Sequence, residues 1–195
     1  ESQIISDIKT DIPLLNNVNE YIIGSGGKRL RPTLVLLGAE MFSGSNEQVI
    51  QAAKVIEYLH TATLLHDDVV DGAETRRARQ AVCRIWGNES SVLSGDYLFA
   101  MAFYQLTKMR NAEVLRLMSD TTSKMARGEL LQLTRSFDAS NEEEYFEIII
   151  NKTACFFAAA IKTGALLAGS SLDSADRLYE YGMALGIAFQ IVDDA

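Results

Sequence analysis

Proline stands at two positions of this chain, Pro13 and Pro32, so an all-β architecture punctuated by Gly and Pro turns is disfavoured. What organises the sequence is helical period. Ser45 with Gln48 reads as a capping box, and Val49, Ala52, Ala53, Ile56, Leu59 and Thr63 then keep a three-to-four-residue spacing that carries one helix to about Asp71. Upstream, short helical stretches are expected over 3–10 and 14–23, with Asp11 before Pro13 as the start signal of the second. Pro32 opens another helix, which runs to about Phe42 and stops at Gly44. Residues 90–109 and 111–134 give two more, the latter with Val114, Leu115, Met118, Met125 and Leu133 as its buried stripe. Ser140 with Glu143 caps a helix that reaches Asn151, and a bend near Lys152 and Thr153 precedes a helix over 154–168. The last helix runs from about Ser174, and Gly182 and Gly186, four apart, let a neighbouring helix approach it closely. Residues 72–89 show no clear period and read as mostly loop. The fold class is all-α, a bundle of mostly antiparallel helices buried by one another.

Length and charge narrow the function. A chain of 195 residues fits one domain, 1–195, with a core large enough to shape a pocket. Its 48% hydrophobic and 23% charged residues exclude a disordered chain. The uncharged stretches Ala154–Ile161 and Gly182–Val192 fall short of the ~20 apolar residues that cross a bilayer. Asp7, Lys9 and Asp11 break any apolar run of a secretory signal, so no stable membrane anchor is expected. Cys83 and Cys155 form neither a disulfide framework nor a zinc spacing, which fits a reducing, cytoplasmic setting. A net charge of −8 argues against nucleic acid as a partner. Two local basic clusters stand out against it: Lys28, Arg29 and Arg31, then Arg76, Arg77, Arg79 and Arg84. Such clusters in an acidic protein point to a bound anion.

The strongest chemical feature is His66-Asp67-Asp68-Val69-Val70-Asp71. Asp67 and Asp71 share one helix face, where like charges repel unless a cation lies between them. Two or three hard carboxylate ligands suit Mg²⁺. A solvated acidic helix end is the alternative. The two carboxylates continue a stripe of Ile56, His60 and Thr63, however, which directs them toward a cavity. A second pair, Asp193-Asp194, ends the last helix after another apolar run, and if the two pairs face each other they form a multi-cation site. The glycine loop Gly24-Ser25-Gly26-Gly27 ahead of Lys28 and Arg31 is no nucleotide P-loop. Ile22 stands where that pattern has its first glycine, and Arg29 where it has Ser or Thr. A generic phosphate site near a helix N-terminus remains, with a solvated basic loop as the alternative. Arg76, Arg77 and Arg79 suit a diphosphate bridged by metal; equally, they are placed to pair with Asp67, Asp68 and Asp71.

In order along the chain stand GGKRLRP, LLHDDVVD followed by TRR, GDYL, GELLQL, NKTA and GIAFQIVDD. This series resembles the consecutive motifs of the trans-isoprenyl diphosphate synthases, the polyprenyl synthetases, over nearly the whole chain. The resemblance implies an isoprenoid synthase fold around a central active-site cavity, and a Mg²⁺-dependent prenyltransferase that joins an allylic diphosphate to isopentenyl diphosphate. It assigns Asp67, Asp68 and Asp71 to the first aspartate-rich motif, with Asp67 and Asp71 the expected metal ligands, and Asp193 and Asp194 to the second. Lys28, Arg31, His60 and Arg77 match the isopentenyl diphosphate site, and Arg76 the allylic diphosphate contact. Lys152, Thr153 and Gln190 match the groups around the reacting end of the allylic substrate. No protein base is assigned, and His66 is given a structural role.

Ala62 and Thr63 stand where aromatic residues limit products to short chains in this family. Their small size implies a long-chain product, C30 or longer, with Phe99, Phe103 or Tyr104 as a deeper floor. Ala78 and Gln80 depart from the family's Gly and Pro after the paired arginines. The second aspartate motif is cut at Ala195, so a truncated domain is expected. A homodimer through the apolar helix 90–109 fits the family. The alternatives are a short-chain farnesyl or geranylgeranyl diphosphate synthase, a terpene cyclase, a non-catalytic regulatory subunit, and a Ca²⁺-binding or scaffold helical protein. Lys28 and Arg31 as a second anion site argue against the cyclase, the intact charged residues against the regulatory subunit, and the lack of an EF-hand loop against the Ca²⁺ reading.

Overall fold

A computed structural model describes residues 2–134 and 141–195 of the chain, which divides into two compact units. The first comprises residues 1–29 and 54–108, and the second residues 30–53 and 109–195. Among the described residues the architecture is helical, with one two-stranded ribbon.

The first unit holds α1 (Ser2–Asp7), α2 (Pro13–Gly24), most of α4 (Glu47–Val70), α5 (Val82–Trp86) and α6 (Asn88–Lys108). Its core is the apolar stripe of α4, where Tyr58, Leu59, Ala62 and Leu65 are fully buried. Small residues of α6 pack against this helix. Ser91 Oγ donates to the Leu65 carbonyl at 2.7 Å, and a Cβ on Gly95 would lie 2.3 Å from His66 Nε2. Residues 72–89, expected to be mostly loop, contain α5 and the ribbon of β1 (Thr75–Arg76) and β2 (Arg79–Gln80). Thr75 pairs with Gln80 and Arg76 with Arg79, which leaves Arg77 and Ala78 as a two-residue turn. Both have the positive φ, 52° and 60°, that such turns require. Two-residue strands are too short to show alternation, so the sequence carries no signal for them.

The second unit contains α3 (Leu30–Glu40), the first turns of α4, α7 (Ala112–Thr134), α8 (Glu142–Ile149), α9 (Cys155–Leu167) and α10 (Leu172–Asp193). Helix α9 is its centre and is buried along nearly its whole length. It lies between α3 and α10, and both crossings are made by glycine. A Cβ on Gly164 would come within 1.9 Å of the Val35 carbonyl oxygen, and one on Gly38 within 2.2 Å of that of Ile161. On the other side, a Cβ on Gly182 or Gly186 would lie 2.6 Å from the Cα of Ala158 or Ala154, which is the close approach expected of that spacing. Helices α8 and α9 are joined by a π-helical turn, Ile150–Ala154, where the sequence placed a bend. The combined stretch Glu142–Leu167 is long and apolar enough to cross a membrane, longer than the uncharged runs alone suggest, but 78% of its most apolar window is buried inside the protein.

Several caps differ from expectation by one to three residues. Asn46, and not Ser45, caps α4 by accepting from Val49 N at 3.0 Å; Ser45 Oγ bonds Glu40 instead. Asn141 caps α8 by accepting from Glu144 N, while the expected Ser140 lies outside the described residues. Ser171 caps α10, so that helix begins at Leu172. On α7 the buried stripe runs Val114, Met118, Thr121, Met125 and Gly128. Its next step falls on Gln132, which leaves Leu133 off the stripe and 59% exposed.

Two outcomes test this packing. Gly164→Ala drives a methyl into backbone that cannot yield, and should lower the stability by the ~1–3 kcal/mol of core overpacking or more, read from the shift of the urea unfolding midpoint. Cys155 is held as a thiol, because burial pushes its pKa up to about 12 against the opposing pull of Lys124 and Arg31. In the unfolded chain it ionises near 9.0. This contribution to stability is therefore complete below pH 9 and falls as pH rises toward 12. Iodoacetamide at about pH 8 should leave Cys155 unmodified in the native protein and label it after denaturation, as read by peptide mapping.

Candidate active site

The first basic cluster sits on a loop that glycine alone permits. Gly26 and Gly27 have φ of 82° and 139°, and a Cβ on Gly27 would meet the Arg77 guanidinium at 2.7 Å. Arg77 donates to the Gly26 carbonyl, so the arginine turn docks on the glycine loop. Lys28 follows as an exposed cation. Arg29 turns inward and pairs with Glu57 on α4. His60, one turn further along α4, is half-buried. The first unit thus holds Lys28, His60 and Arg77 of the residues expected at one diphosphate, and the structure joins the loops carrying Lys28 and Arg77. Arg31 belongs to the second unit, where its guanidinium lies 5.3 Å and 4.9 Å from the ring centroids of Phe156 and Phe157.

At the end of α4 the three aspartates part company. Asp71 is exposed and Asp67 half-exposed. Asp68 is fully buried, and its Oδ1 accepts from Arg76 Nε at 2.8 Å and Nη2 at 2.5 Å. The pairing of an arginine with an aspartate, one of the two readings of this loop, is therefore realised for Arg76 and Asp68. Among the described residues no group of three or more His, Cys, Asp or Glu side chains lies close enough together to hold a metal ion. His66 packs on α6: it stacks on Phe99 at 5.8 Å and its Nε2 lies 3.1 Å from the Val92 carbonyl and 3.3 Å from Asp96. Of the residues expected to set chain length, Ala62 is fully buried and Thr63 half-buried, its hydroxyl donating to the His60 carbonyl. Phe99 is occupied by that stack, Phe103 is half-buried, and Tyr104 is exposed beneath Lys108, 4.2 Å from its ring centroid.

A second set of polar groups lies in the second unit. The π-helical turn places Lys152 and Thr153, two polar residues in an apolar helix, beside a cavity of about 400 Å³. Such turns re-aim side chains and are frequent at functional sites. The turn is reached closely by α7 because Gly128 has no Cβ; one would lie 2.6 Å from Lys152 N. Lys152 Nζ donates to Glu129 and Gln132 at 2.9 Å each. Thr153 Oγ1 donates to Gln190 Oε1 at 2.9 Å, Gln190 Nε2 to Asp194 Oδ1 at 2.9 Å, and Tyr145 Oη to Asp194 Oδ2 at 2.8 Å. Burial, and then Asp194, raises the Tyr145 pKa, so it remains a donor. Asp193 is exposed at the end of α10.

A sequence model of the Polyprenyl synthetase family matches residues 12–195. The chain belongs to that family. It is 39% identical over 192 residues to the octaprenyl diphosphate synthase of Escherichia coli (strain K12), a match covering 98% of this chain and 59% of that protein. It superposes with a TM-score of 0.94 and 41% identity on a polyprenyl synthase from Caulobacter crescentus CB15 complexed with calcium and isoprenyl diphosphate, over 98% of this chain and 58% of that one. For a decaprenyl diphosphate synthase from Rhodobacter capsulatus the values are 0.95 and 41%, over 99% and 60%. The all-α isoprenoid synthase fold is therefore that of these structures, and the chain spans about three fifths of the length of the relatives it matches.

Within this polyprenyl synthetase chain, four residues of the site carried no assigned role in the sequence. Glu129 and Gln132 lie inside GELLQL, a motif whose spacing put both on one helix face. Glu57 and Tyr145 carry no local signal, since their partners are distant in the chain. The Asp68 carboxylate is matched by Arg76, and its Oδ2 has no hydrogen-bond partner among the described residues. Arg76→Met should leave that charge buried and uncompensated, lowering stability by about 1–3 kcal/mol. Asp68→Leu combined with Arg76→Met should recover part of the loss, as read from urea midpoints of the two variants.

Proposed function

We propose that the whole protein is a Mg²⁺-dependent prenyltransferase that condenses an allylic diphosphate with isopentenyl diphosphate head to tail, making an all-trans polyprenyl diphosphate of C30 or longer. The observation that carries this reading is the docking of Arg77 on the glycine loop beside Lys28. It supports an anion site at these cations in addition to the one at the aspartates, as a two-diphosphate reaction requires. The names of the relatives support the long product. The 195 residues belong to one isoprenoid synthase domain that is longer in the relatives.

Asp67 and Asp71, one turn apart at the end of α4, present half-exposed and exposed hard oxygens, a donor pair suited to Mg²⁺ completed by other oxygens, and would hold it; Asp193 is exposed at the end of α10 in the second unit. Bound there, the metal supplies positive charge against the diphosphate that leaves the allylic substrate. Asp68 and Asp194 act differently: Asp68 orients Arg76 toward that diphosphate, and Asp194 orients Gln190. Lys152, Thr153 and Gln190 line the reacting end of the allylic chain, where the Lys152 ammonium opposes the negative charge developing on the leaving diphosphate and the Thr153 and Gln190 dipoles face the developing cation. Lys28, His60 and Arg77 hold isopentenyl diphosphate so that its alkene, a weak nucleophile, meets the allylic carbon. The apolar helices exclude water that would capture the cation. Ala62 and Thr63 leave room for the growing chain. The exposed Leu93 and Tyr104 on α6 offer a face for a homodimer, in a cytoplasmic protein whose product partitions into membranes without an anchor.

The test is chromatography of products from the full-length protein given Mg²⁺, an allylic primer and labelled isopentenyl diphosphate. Products of C30 or longer are expected, and farnesyl diphosphate as the end product would refute the long-chain reading. Thr63→Phe should shorten the product. Asp67→Ala and Asp71→Ala should each reduce turnover by ~10²–10³. Turnover that appears only with a second, different subunit would favour the regulatory alternative.

A further inference from the structure

The basic run Lys28-Arg29-Leu30-Arg31 offers three cations, and the structure sets one of them apart. One terminal nitrogen of Arg29 donates to the Glu57 carboxylate and the other to the Ile23 carbonyl at 2.6 Å. Glu57 is 1% exposed and sits in α4 between fully buried Ile56 and Tyr58. A carboxylate at such a place needs its cation, because removal of one partner leaves a charge in apolar surroundings. The backbone of Arg29 is left-handed, with φ of 48°, a conformation that disfavours any residue with a side chain by about 1–2 kcal/mol. The ion pair offsets that penalty and ties the last turn of α2, the glycine loop and α4 together. Lys28 precedes the clamped residue directly. Arg77 docks on Gly26 and Gly27 within the same loop, and His60 lies three residues from Glu57, on the same side of α4.

We propose that Glu57 and Arg29 are positioning residues for the isopentenyl diphosphate half of the site. The pair locks the left-handed turn and thereby fixes where Lys28 stands relative to Arg77, while neither side chain touches substrate. This rests on the prenyltransferase reading. Because Glu57 balances the charge of Arg29, the diphosphate meets the cations of Lys28 and Arg77 without a contribution from Arg29.

The test uses the full-length protein with Glu57→Gln, which keeps the shape and removes the charge, and with Arg29→Lys, which keeps the charge and loses the two-point geometry. Initial rates give KM for each substrate, and calorimetry gives direct binding of isopentenyl diphosphate. Each variant should raise KM and Kd for isopentenyl diphosphate about tenfold, which is ~1.4 kcal/mol. The allylic KM should stay within about twofold and kcat within about threefold. Adding Lys28→Ala to Glu57→Gln should weaken binding by much less than the two single effects combined, because both act through one contact. If Glu57→Gln does not fold, as judged by its circular dichroism, Arg29→Lys carries the same readouts. Full additivity with Lys28→Ala would make Arg29 a direct ligand and overturn the proposal. So would equal rises in both KM values, or a lowered melting temperature with unchanged isopentenyl diphosphate binding. A wild-type protein that binds isopentenyl diphosphate but does not incorporate it would refute the prenyltransferase reading alone; calorimetry of the variants then decides the positioning claim by itself. A wild-type protein that does not bind it overturns both.

Discussion

A carboxylate inside an apolar helix has to be matched by a cation, and helix α4 carries two of them. Glu57 and Asp68 are buried to 1% and 0% exposure, eleven residues apart, which returns them to nearly the same face after three turns. Each draws an arginine out of a different loop. Glu57 takes Arg29 from the glycine loop, and Asp68 takes Arg76 from the edge of the ribbon. The two loops are otherwise poorly determined: one is rich in glycine, and the other is closed by a turn in which Arg77 and Ala78 both hold positive φ. Burial of two negative charges on one helix is what gives these segments single conformations, and Arg77 then joins them by docking on Gly26.

The second unit solves a different problem. Helix α9 is apolar over most of its surface, so it must be surrounded, and glycines at Gly38, Gly164, Gly182 and Gly186 allow α3 and α10 to approach to backbone contact. Packing this tight fixes the helix axis but leaves no room for a side chain to reorient. The π-helical turn just before α9 adds the rotation that regular helix would not supply. It brings Lys152 to Glu129 and Gln132, and Thr153 to Gln190. Gly128 is the other half of that device, since a methyl there would meet the backbone of the turn.

Helices of this length were legible in the sequence because period and breakers act locally. The limits were local too. Ser45 and Asn46 are both good cap residues, and only the Glu40 side chain, which engages Ser45, decides between them. The ribbon at 75–80 has strands too short for any pattern. Leu133 looked like a continuation of the buried stripe until the drift of α7 passed the buried face to Gln132. At the site, the residue types and their order were legible, and so was the choice between an arginine facing a ligand and one facing an aspartate, but not its outcome. Asp67, Asp68 and Asp71 are chemically identical, and what separates them is the 100° step along a helix whose buried side is known only once it is packed. Glu57 had no signal at all: its meaning lies in Arg29, 28 residues earlier.

That separation assigns work within the aspartate cluster. Three carboxylates on the last turns of one helix would repel one another and fray it if all faced the same space. Turning Asp68 inward onto Arg76 removes one negative charge from the solvent side, and leaves Asp67 and Asp71, one turn apart, as the less buried pair. The same act fixes the guanidinium of Arg76, which the ribbon alone would leave without a carboxylate partner. An Asn at position 68 would fill the same volume, yet it would not hold Arg76 by charge. The acidic motif therefore contains one aspartate whose carboxylate is turned inward onto an arginine and two whose carboxylates are not.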